Sequence, residues 1–384
     1  MRVAMYWHNG KSLGHTAETA KIAHALTAGV PHLSLAGITG AYRGLDLLPA
    51  AMDVVKLPSY ADYDLSEGPH AAARQGLTVE GLFALRTELI EVFLRHYAPD
   101  VLLVNHLPYG AARELAPALS RAQPGGRVLS LRGVLFDRDT TNEKYFGEAA
   151  TRWIAEHFDA IYVHTDPQVF RLEDYYTVPD VLRERIRYLG YLAGDPGTDR
   201  NTARLTLGIE PGERLVVASM GGGQGTLPIW LAVMAALDSV RSRFDRAVLV
   251  TGPYLEPGHA AALSARTADK DWLELRDYVS DLPAWMAASD LFVGAAGSNT
   301  LGEILAARCN AVVIPRQVAE PEQRIHARLL AGRHLVRMCD LPAVLSGSLA
   351  HVLAEAIDDP LAPGIAVALN GARRYPQLLT DLFR

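Results

Sequence analysis

The stretch that most constrains the fold is residues 290–330, DLFVGAAGSNTLGEILAARCNAVVIPRQVAEPEQRIHARLL. It opens with an apolar run at 291–293, short enough for a buried strand, and turns through Gly, Ala and Ser at 294–298. Helical spacing follows over 299–308, and a second apolar run at 311–314 stops at Pro315. A polar loop leads to another helical pattern near Pro321. Strand, glycine turn, helix, strand, loop and helix is the alternation of a parallel α/β sheet.

The chemistry of this stretch sits at its turns. A helix that starts at Ser298 or Asn299 offers unpaired backbone N–H groups and the positive end of its dipole to an anion. Gly297 permits a positive-φ kink there and leaves room for a phosphate to approach the backbone. Glu303 falls about one turn into the same helix, where a carboxylate can accept hydrogen bonds from a sugar cis-diol. Diphosphate at the helix start and ribose at the Glu together describe a nucleotide site. A routine βα turn with a solvated Glu fits the same spacing.

The rest of the chain repeats the rhythm. Strand patterns fall at 3–7, 53–57, 101–104, 127–131 and 160–163, and helical spacing at 16–26 and 79–96. The first half therefore reads as an open parallel sheet of about six strands. Residues 190–197, GYLAGDPG, form the connector richest in Gly and Pro and divide the 384 residues almost evenly. Beyond it the alternation restarts, with strands at 214–220, 247–250 and 273–275 and a helix at 226–240. The last pattern, 365–383, reads as a terminal helix.

Composition removes several classes of function. The net charge is −6 with no basic run, which argues against a nucleic-acid partner. No apolar stretch approaches the ~18 residues of a membrane span. The N-terminus MRVAMYWHNG reads as a strand rather than a signal peptide, which points to a cytoplasmic protein. The two cysteines, Cys309 and Cys339, lack metal-ligand spacing and read as buried free thiols.

Three further clusters carry candidate chemistry. After the strand ending at Met220, Gly221, Gly222, Gly223, Gln224 and Gly225 place backbone amides where a phosphate can meet them. The loop is neither a GK[ST] phosphate loop nor GxGxxG, and a tight turn that needs glycine accounts for it equally. Gly14 and His15 lie beyond the carboxyl end of the first strand, where ligands of open α/β sheets gather. His15 is the side chain suited to take a proton at neutral pH, with His8 and His106 in comparable positions. Glu320, Glu322 and Gln323 fall in the loop and first helical turn after Pro315, where they either complement the helix dipole or read sugar hydroxyls.

The segment AAGSNTLGEILAARCNAVVIPRQVAEPEQRIHARLL resembles the carboxy-terminal signature of the peptidoglycan N-acetylglucosaminyltransferase family. VLLVNHLPYG, VLSLRGVLFD, FDAIYVHTDPQVF, RIRYLGYLAG, SMGGGQG and LVTGPYL support it in order along the chain, which resembles most a bacterial branch of predicted glycosyltransferases. The resemblance implies the GT-B fold: two Rossmann-like α/β domains with parallel sheets facing a central cleft. It divides the chain into an acceptor domain at 1–190, a linker at 191–205, a donor domain at 206–364 and a helix at 365–384 that crosses back to the first domain.

It also implies an inverting, metal-independent hexosyl transfer without cofactor, from a UDP- or dTDP-sugar. Segment 59–76, with Asp62, Asp64 and Glu67 against Arg74, lacks the apolar and basic patch that the family's lipid-linked acceptor calls for, which points to a small acceptor such as a secondary metabolite of antibiotic type. Gly297, Ser298, Asn299 and Thr300 match the diphosphate turn, Glu303 the ribose-binding acid, and Glu322 with Gln323 the donor-sugar contacts. Gly222, Gly223 and Gln224 extend the donor site, and Tyr278 and Val279 match the loop whose backbone holds the base. Gly14, His15 and His106 fall where acceptor and diphosphate meet, with His15 as general base. Relatives tend to carry Asp where Asn105 stands, and an amide cannot take up a proton at neutral pH, which moves the base assignment to His15. A nucleotide-sugar epimerase or hydrolase, or a binding subunit without catalysis, would use the same fold.

Overall fold

The computed structural model describes residues 1–8, 13–41, 44–59, 76–122, 124–193, 199–223, 225–316, 321–361 and 365–382. Gln224, Glu320, and much of the loops at 8–14 and 59–76 and of the connector at 190–197 lie outside these residues. The chain divides into two units, 1–192 with 370–384, and 193–369.

The first unit is built on seven strands: β1 (Arg2–Trp7), β2 (Ser34–Thr39), β3 (Asp53–Lys56), β4 (Val101–Asn105), β5 (Gly126–Arg132), β6 (Ala160–His164) and β7 (Ile186–Tyr188). Their order is β3-β2-β1-β4-β5-β6-β7, and every pairing is parallel. Continuous apolar runs suit strands covered on both faces: Val3 to Trp7 and Val101 to Val104 are all buried, with Val3 opposite Val101 and Tyr6 opposite Val104. β2 and β7 were not anticipated from the sequence. SLAGIT carries a Gly in mid-strand, and β7 has only three residues, so neither shows a run of β-branched residues.

The second unit has six strands: β8 (Leu215–Ser219), β9 (Arg246–Val250), β10 (Leu273–Arg276), β11 (Leu291–Ala295), β12 (Ala311–Ile314) and β13 (Arg337–Met338). They are ordered β10-β9-β8-β11-β12-β13, again all parallel. Val216, Ala218, Trp230, Val293 and Ile314 belong to one buried cluster on this sheet. Helix Arg200–Leu207 occupies part of the segment expected as linker, and its N-cap Asp199 accepts from the N–H groups of Asn201 and Thr202.

The terminal helix is shorter than the apolar spacing suggests. Asn370 forms an antiparallel bridge with Leu192, and the Gly371 N–H donates to the Tyr191 carbonyl at 3.1 Å, so extended backbone delays helical structure until Ala372. Helix Tyr375–Leu382 then packs on helix Gly14–Gly29 within the first unit, with Tyr375 and Leu379 fully buried. A Cβ at Gly29 would stand 2.6 Å from Pro376, so the absence of a side chain sets how closely the two approach. The Tyr375 hydroxyl lies 2.6 Å from Ser130 Oγ and 2.7 Å from His164 Nε2, tying the terminal helix to the ends of β5 and β6.

Tyr375→Phe removes both contacts while keeping the ring. At ~0.5–1.5 kcal/mol net per hydrogen bond, it should cost roughly 1–3 kcal/mol of stability. Urea denaturation reads this directly, and an unchanged midpoint would show the hydroxyl to be idle.

Candidate functional site

In each sheet the strand order reverses once, and the carboxyl ends of the two central strands flank a crevice, the place where open α/β sheets bind ligands. In the first unit the reversal lies between β1 and β4. His8 follows β1, His106 follows β4, and His15 stands in the first turn of helix Gly14–Gly29. Three histidines separated widely in sequence thus converge, with ring centroids 4.0 Å apart for His8 and His15, 5.3 Å for His15 and His106, and 6.5 Å for His8 and His106.

His15 Nδ1 lies 2.8 Å from Asn105 Oδ1. An amide oxygen only accepts, so Nδ1 carries the proton and the lone pair of the neutral ring resides on Nε2. Asn105 therefore orients the ring without taking part in proton transfer. Sequence reasoning passed over Glu18 and Arg132. Glu18, one turn beyond His15, is buried, places Oε2 3.7 Å from His15 Nδ1, and accepts at Oε1 from Arg132 Nε at 2.7 Å. The i,i+3 spacing of His15 and Glu18 on one helix face was the available signal. His106 has a left-handed backbone, φ 67°, and its carbonyl accepts from Tyr145 Oη at 3.1 Å.

The cluster is electrostatically hostile to protonation. Burial, then Arg132, pushes His8 down to about 4 and His164 to about 3. Burial first, with His8, Arg132 and His106 behind it, holds His15 well below the usual range, and the Asn105 contact acts the other way. His106 is lowered by burial, then by Arg132, His8, Lys144 and His164. Behind β1 and β4, Arg86 and Glu114 form a fully buried pair at 2.7 Å, to which Tyr6 Oη donates at 2.7 Å. This fixes helix Val79–Tyr97 and the chain after β4.

In the second unit the reversal lies between β8 and β11. After β11, helix Ser298–Ala307 begins with Gly297 as its N-cap and no side-chain cap. Gly297 has φ −70° and ψ 149°, so the expected positive-φ kink is absent; the turn is made in extended backbone open to any residue. Among the described residues, a Cβ at Gly297 would meet nothing within 4 Å, so this glycine leaves space before the helix. Ser298 Oγ donates to Glu322 Oε1 at 2.6 Å, and Gln323 Oε1 accepts from the Arg316 N–H at 3.0 Å. Ser298, Glu322 and Gln323 are thus brought to the ends of β11 and β12, where Glu322 holds the Ser298 hydroxyl and Gln323 the backbone after β12. Glu303 lies in the second turn of the Ser298 helix, half-buried.

The glycine loop after β8 is a bonded turn. Gly223 has φ 93°, and a Cβ there would stand 2.4 Å from the Thr251 carbonyl oxygen. The Gly222 carbonyl accepts from the Tyr254 N–H at 2.8 Å, and the Gly223 carbonyl from Thr226 Oγ1 at 2.6 Å. The Gly252 N–H in turn donates to the Asp277 carbonyl, so the loops after β8, β9 and β10 form one rim. On that rim Tyr278 is 61% exposed, whereas the side chain of Val279 is buried. Arg316, not singled out from the sequence, stands half-buried just past β12, where desolvation lowers its pKa.

The histidine cluster gives a pH dependence with a definite sign. Histidines depressed in the fold bind protons first in the unfolded chain, whose histidines titrate near 6.5. Their contribution to stability is therefore full above 6.5 and falls with pH towards about 4 for His8 and about 3 for His164. Melting temperature should drop steadily from pH 7 to 4.5. His106→Asn, which the left-handed backbone tolerates, should shallow that slope; an unaltered slope would show that His106 is not among the groups responsible.

The chain is similar to known proteins in part of its sequence and in its fold. The Glycosyltransferase family 28 C-terminal domain matches residues 216–368. The UDP-N-acetylglucosamine--N-acetylmuramyl-(pentapeptide) pyrophosphoryl-undecaprenol N-acetylglucosamine transferase of Acidothermus cellulolyticus is 29% identical over 247 residues, 61% of this chain and 64% of that one. Alignments to further relatives of the same name span 28% to 37% of their lengths. Among solved structures, the glycotransferase of kitacinnamycin superposes with a TM-score of 0.62 at 16% identity, covering 100% of this chain and 98% of that one. The UDP-GlcNAc 2-epimerase of Methanocaldococcus jannaschii gives 0.62 at 10% identity, covering 99% and 100%. The two parallel-sheet units have the GT-B fold, and residues 216–368 match the glycosyltransferase family 28 C-terminal domain.

Proposed function

We propose that the protein is an inverting glycosyltransferase that moves a hexosyl group from a nucleoside-diphospho-sugar, a UDP- or dTDP-sugar, to an acceptor hydroxyl. The observation that carries this reading is the open space at Gly297 before an uncapped helix start at the strand reversal of the family 28 domain. Backbone N–H groups of Ser298, Asn299 and Thr300 receive the diphosphate there. Gly222 and Gly223 border it, Glu303 accepts from the ribose, Glu322 and Gln323 face the sugar, and Tyr278 and Val279 hold the base.

In the reaction the acceptor, held near Gly14 and His106, gives its hydroxyl proton to His15 Nε2. Its oxygen bonds to the anomeric carbon as the bond to the diphosphate breaks. The electron pair leaves on the nucleoside diphosphate, where aimed N–H groups stabilise it. Charge stabilisation at the leaving group needs no metal in this scheme.

The acceptor is a small soluble molecule in this reading, as suits a chain related in structure to the kitacinnamycin enzyme. A lipid-linked acceptor is the second reading, favoured by the undecaprenol-linked acceptor in the relatives' name and by Leu85, Leu89 and Val92, exposed along one helix. No helix among the described residues is long and apolar enough to cross a membrane. An epimerase or hydrolase is distinguished by turnover of the sugar nucleotide without any acceptor.

Gly297→Ala separates donor binding from folding. The methyl meets no atom of the described residues, and φ is ordinary, so stability should hold or rise by roughly 0.4–1 kcal/mol. Donor affinity, read by calorimetry with a panel of nucleoside diphosphates and their sugars, should fall. Equal affinity would remove the diphosphate from this turn. Glu303→Ala should weaken the donor by roughly 1.5–3 kcal/mol, as for a hydrogen bond to a charged group. His15→Ala should reduce turnover about 10²–10⁴-fold with donor affinity intact; loss of both together would contradict the base role.

A further inference from the structure

The base assignment leaves an electrostatic problem. As His15 Nε2 takes the acceptor's proton, the ring becomes a cation at the amino end of a helix, where the dipole opposes positive charge. The groups around it do not help. His8 comes from the end of β1, His106 and Asn105 from β4, and Arg132 from β5. Two are neutral imidazoles, one a neutral amide and one a guanidinium. On its own helix, Glu18 brings a carboxylate oxygen to 3.7 Å from Nδ1, the same nitrogen that Asn105 holds at 2.8 Å.

We propose that Glu18 is the positioning residue of the base: its carboxylate, shared between Arg132 and the Nδ1–H edge of His15, supplies the negative charge that Asn105 cannot. The geometry divides the work. Asn105 Oδ1 takes the Nδ1–H and fixes the tautomer, while Glu18 Oε1 is held by Arg132 Nε at 2.7 Å and Oε2 is left towards His15. Before reaction Glu18 offsets Arg132; once the ring is protonated, the one carboxylate lies beside two cations. Glu18 is 3% exposed, so little water screens the interaction. Arg132 thus has two effects: it disfavours the imidazolium directly and favours it by anchoring the carboxylate.

The assignment rests on the transferase reading, and its test keeps the two apart. Glu18→Gln, isosteric but neutral, should lower turnover roughly 10–100-fold, part of what a positioned base supplies, with donor affinity unchanged. The acid limb of the rate profile should move to lower pH, because the ring loses its stabilising anion. Adding Asn105→Asp should return a carboxylate to Nδ1 and recover most of the loss in the double variant. In a His15→Ala background, Glu18→Gln should cost nothing further, as for residues acting as one unit. A wild-type rate and pH profile in Glu18→Gln would overturn the proposal, as would an equal additional loss in the His15→Ala background.

If the wild type transfers sugar to no acceptor, the transferase reading fails, and ¹⁵N NMR of the His15 ring, titrated from pH 8 downwards until the wild-type ring protonates, still decides the role of Glu18. A smaller protonated fraction in Glu18→Gln than in the wild type supports it. Identical fractions overturn it.

Discussion

Everything placed at the candidate site of each unit depends on strand order reversing once in its parallel sheet. Parallel strands end together at one edge, so the chain after every strand emerges on the same side. Where the order reverses, the flanking helices leave in opposite directions and open a gap that no connection fills. In the first unit this gap holds the residues after β1 and β4, and in the second those after β8 and β11. His8, His15, Asn105 and His106 share one rim for this reason, and Gly221 to Gly223 and Gly297 to Thr300 border another.

The two rims are built by different means. In the first unit the charge is carried by side chains whose backbone positions are fixed by buried polar bonds. Arg86 and Glu114 are both fully buried as a pair, which costs desolvation that a further bond from Tyr6 and an N–H from Ala112 help offset. Such a pair is weak evidence for added stability but strong evidence for a fixed register, since either partner alone would be a stranded charge. In the second unit glycines shape the rim. Gly297 contributes empty space, and Gly223 the close approach to Thr251 that folds the loop back.

Much of this was legible because it rests on short-range pattern. Buried strands such as VAMYW and VLLV announce themselves as apolar runs, and helix Val79–Tyr97 by its spacing. The order of strands gives the carboxyl ends their meaning, so Ser298, Glu303 and His15 could be proposed from the alternation alone. What was not legible is what long-range packing decides. Gly297 looked like a positive-φ position because glycine usually marks one, yet here the glycine keeps a volume empty and φ is ordinary. The terminal helix was overextended because apolar spacing continues through residues that the Leu192–Asn370 bridge holds extended.

Glu18 and Arg132 show the same limit in the site itself. Glu18 was visible as a helix residue three beyond His15, but a carboxylate on a helix face is most often solvated. Only the arrival of Arg132, 114 residues later at the end of β5, makes it a buried and directed charge. Asn105 gains its meaning likewise: alone it reads as the loss of a carboxylate, whereas beside His15 it is the acceptor that selects the tautomer. A general base needs both an orienting contact and a compensating charge. Where one residue would supply both, the proposed base has them divided between β4 and the helix that follows β1, so replacing Asn105 by an acid and neutralising Glu18 would act on the same quantity at one ring nitrogen.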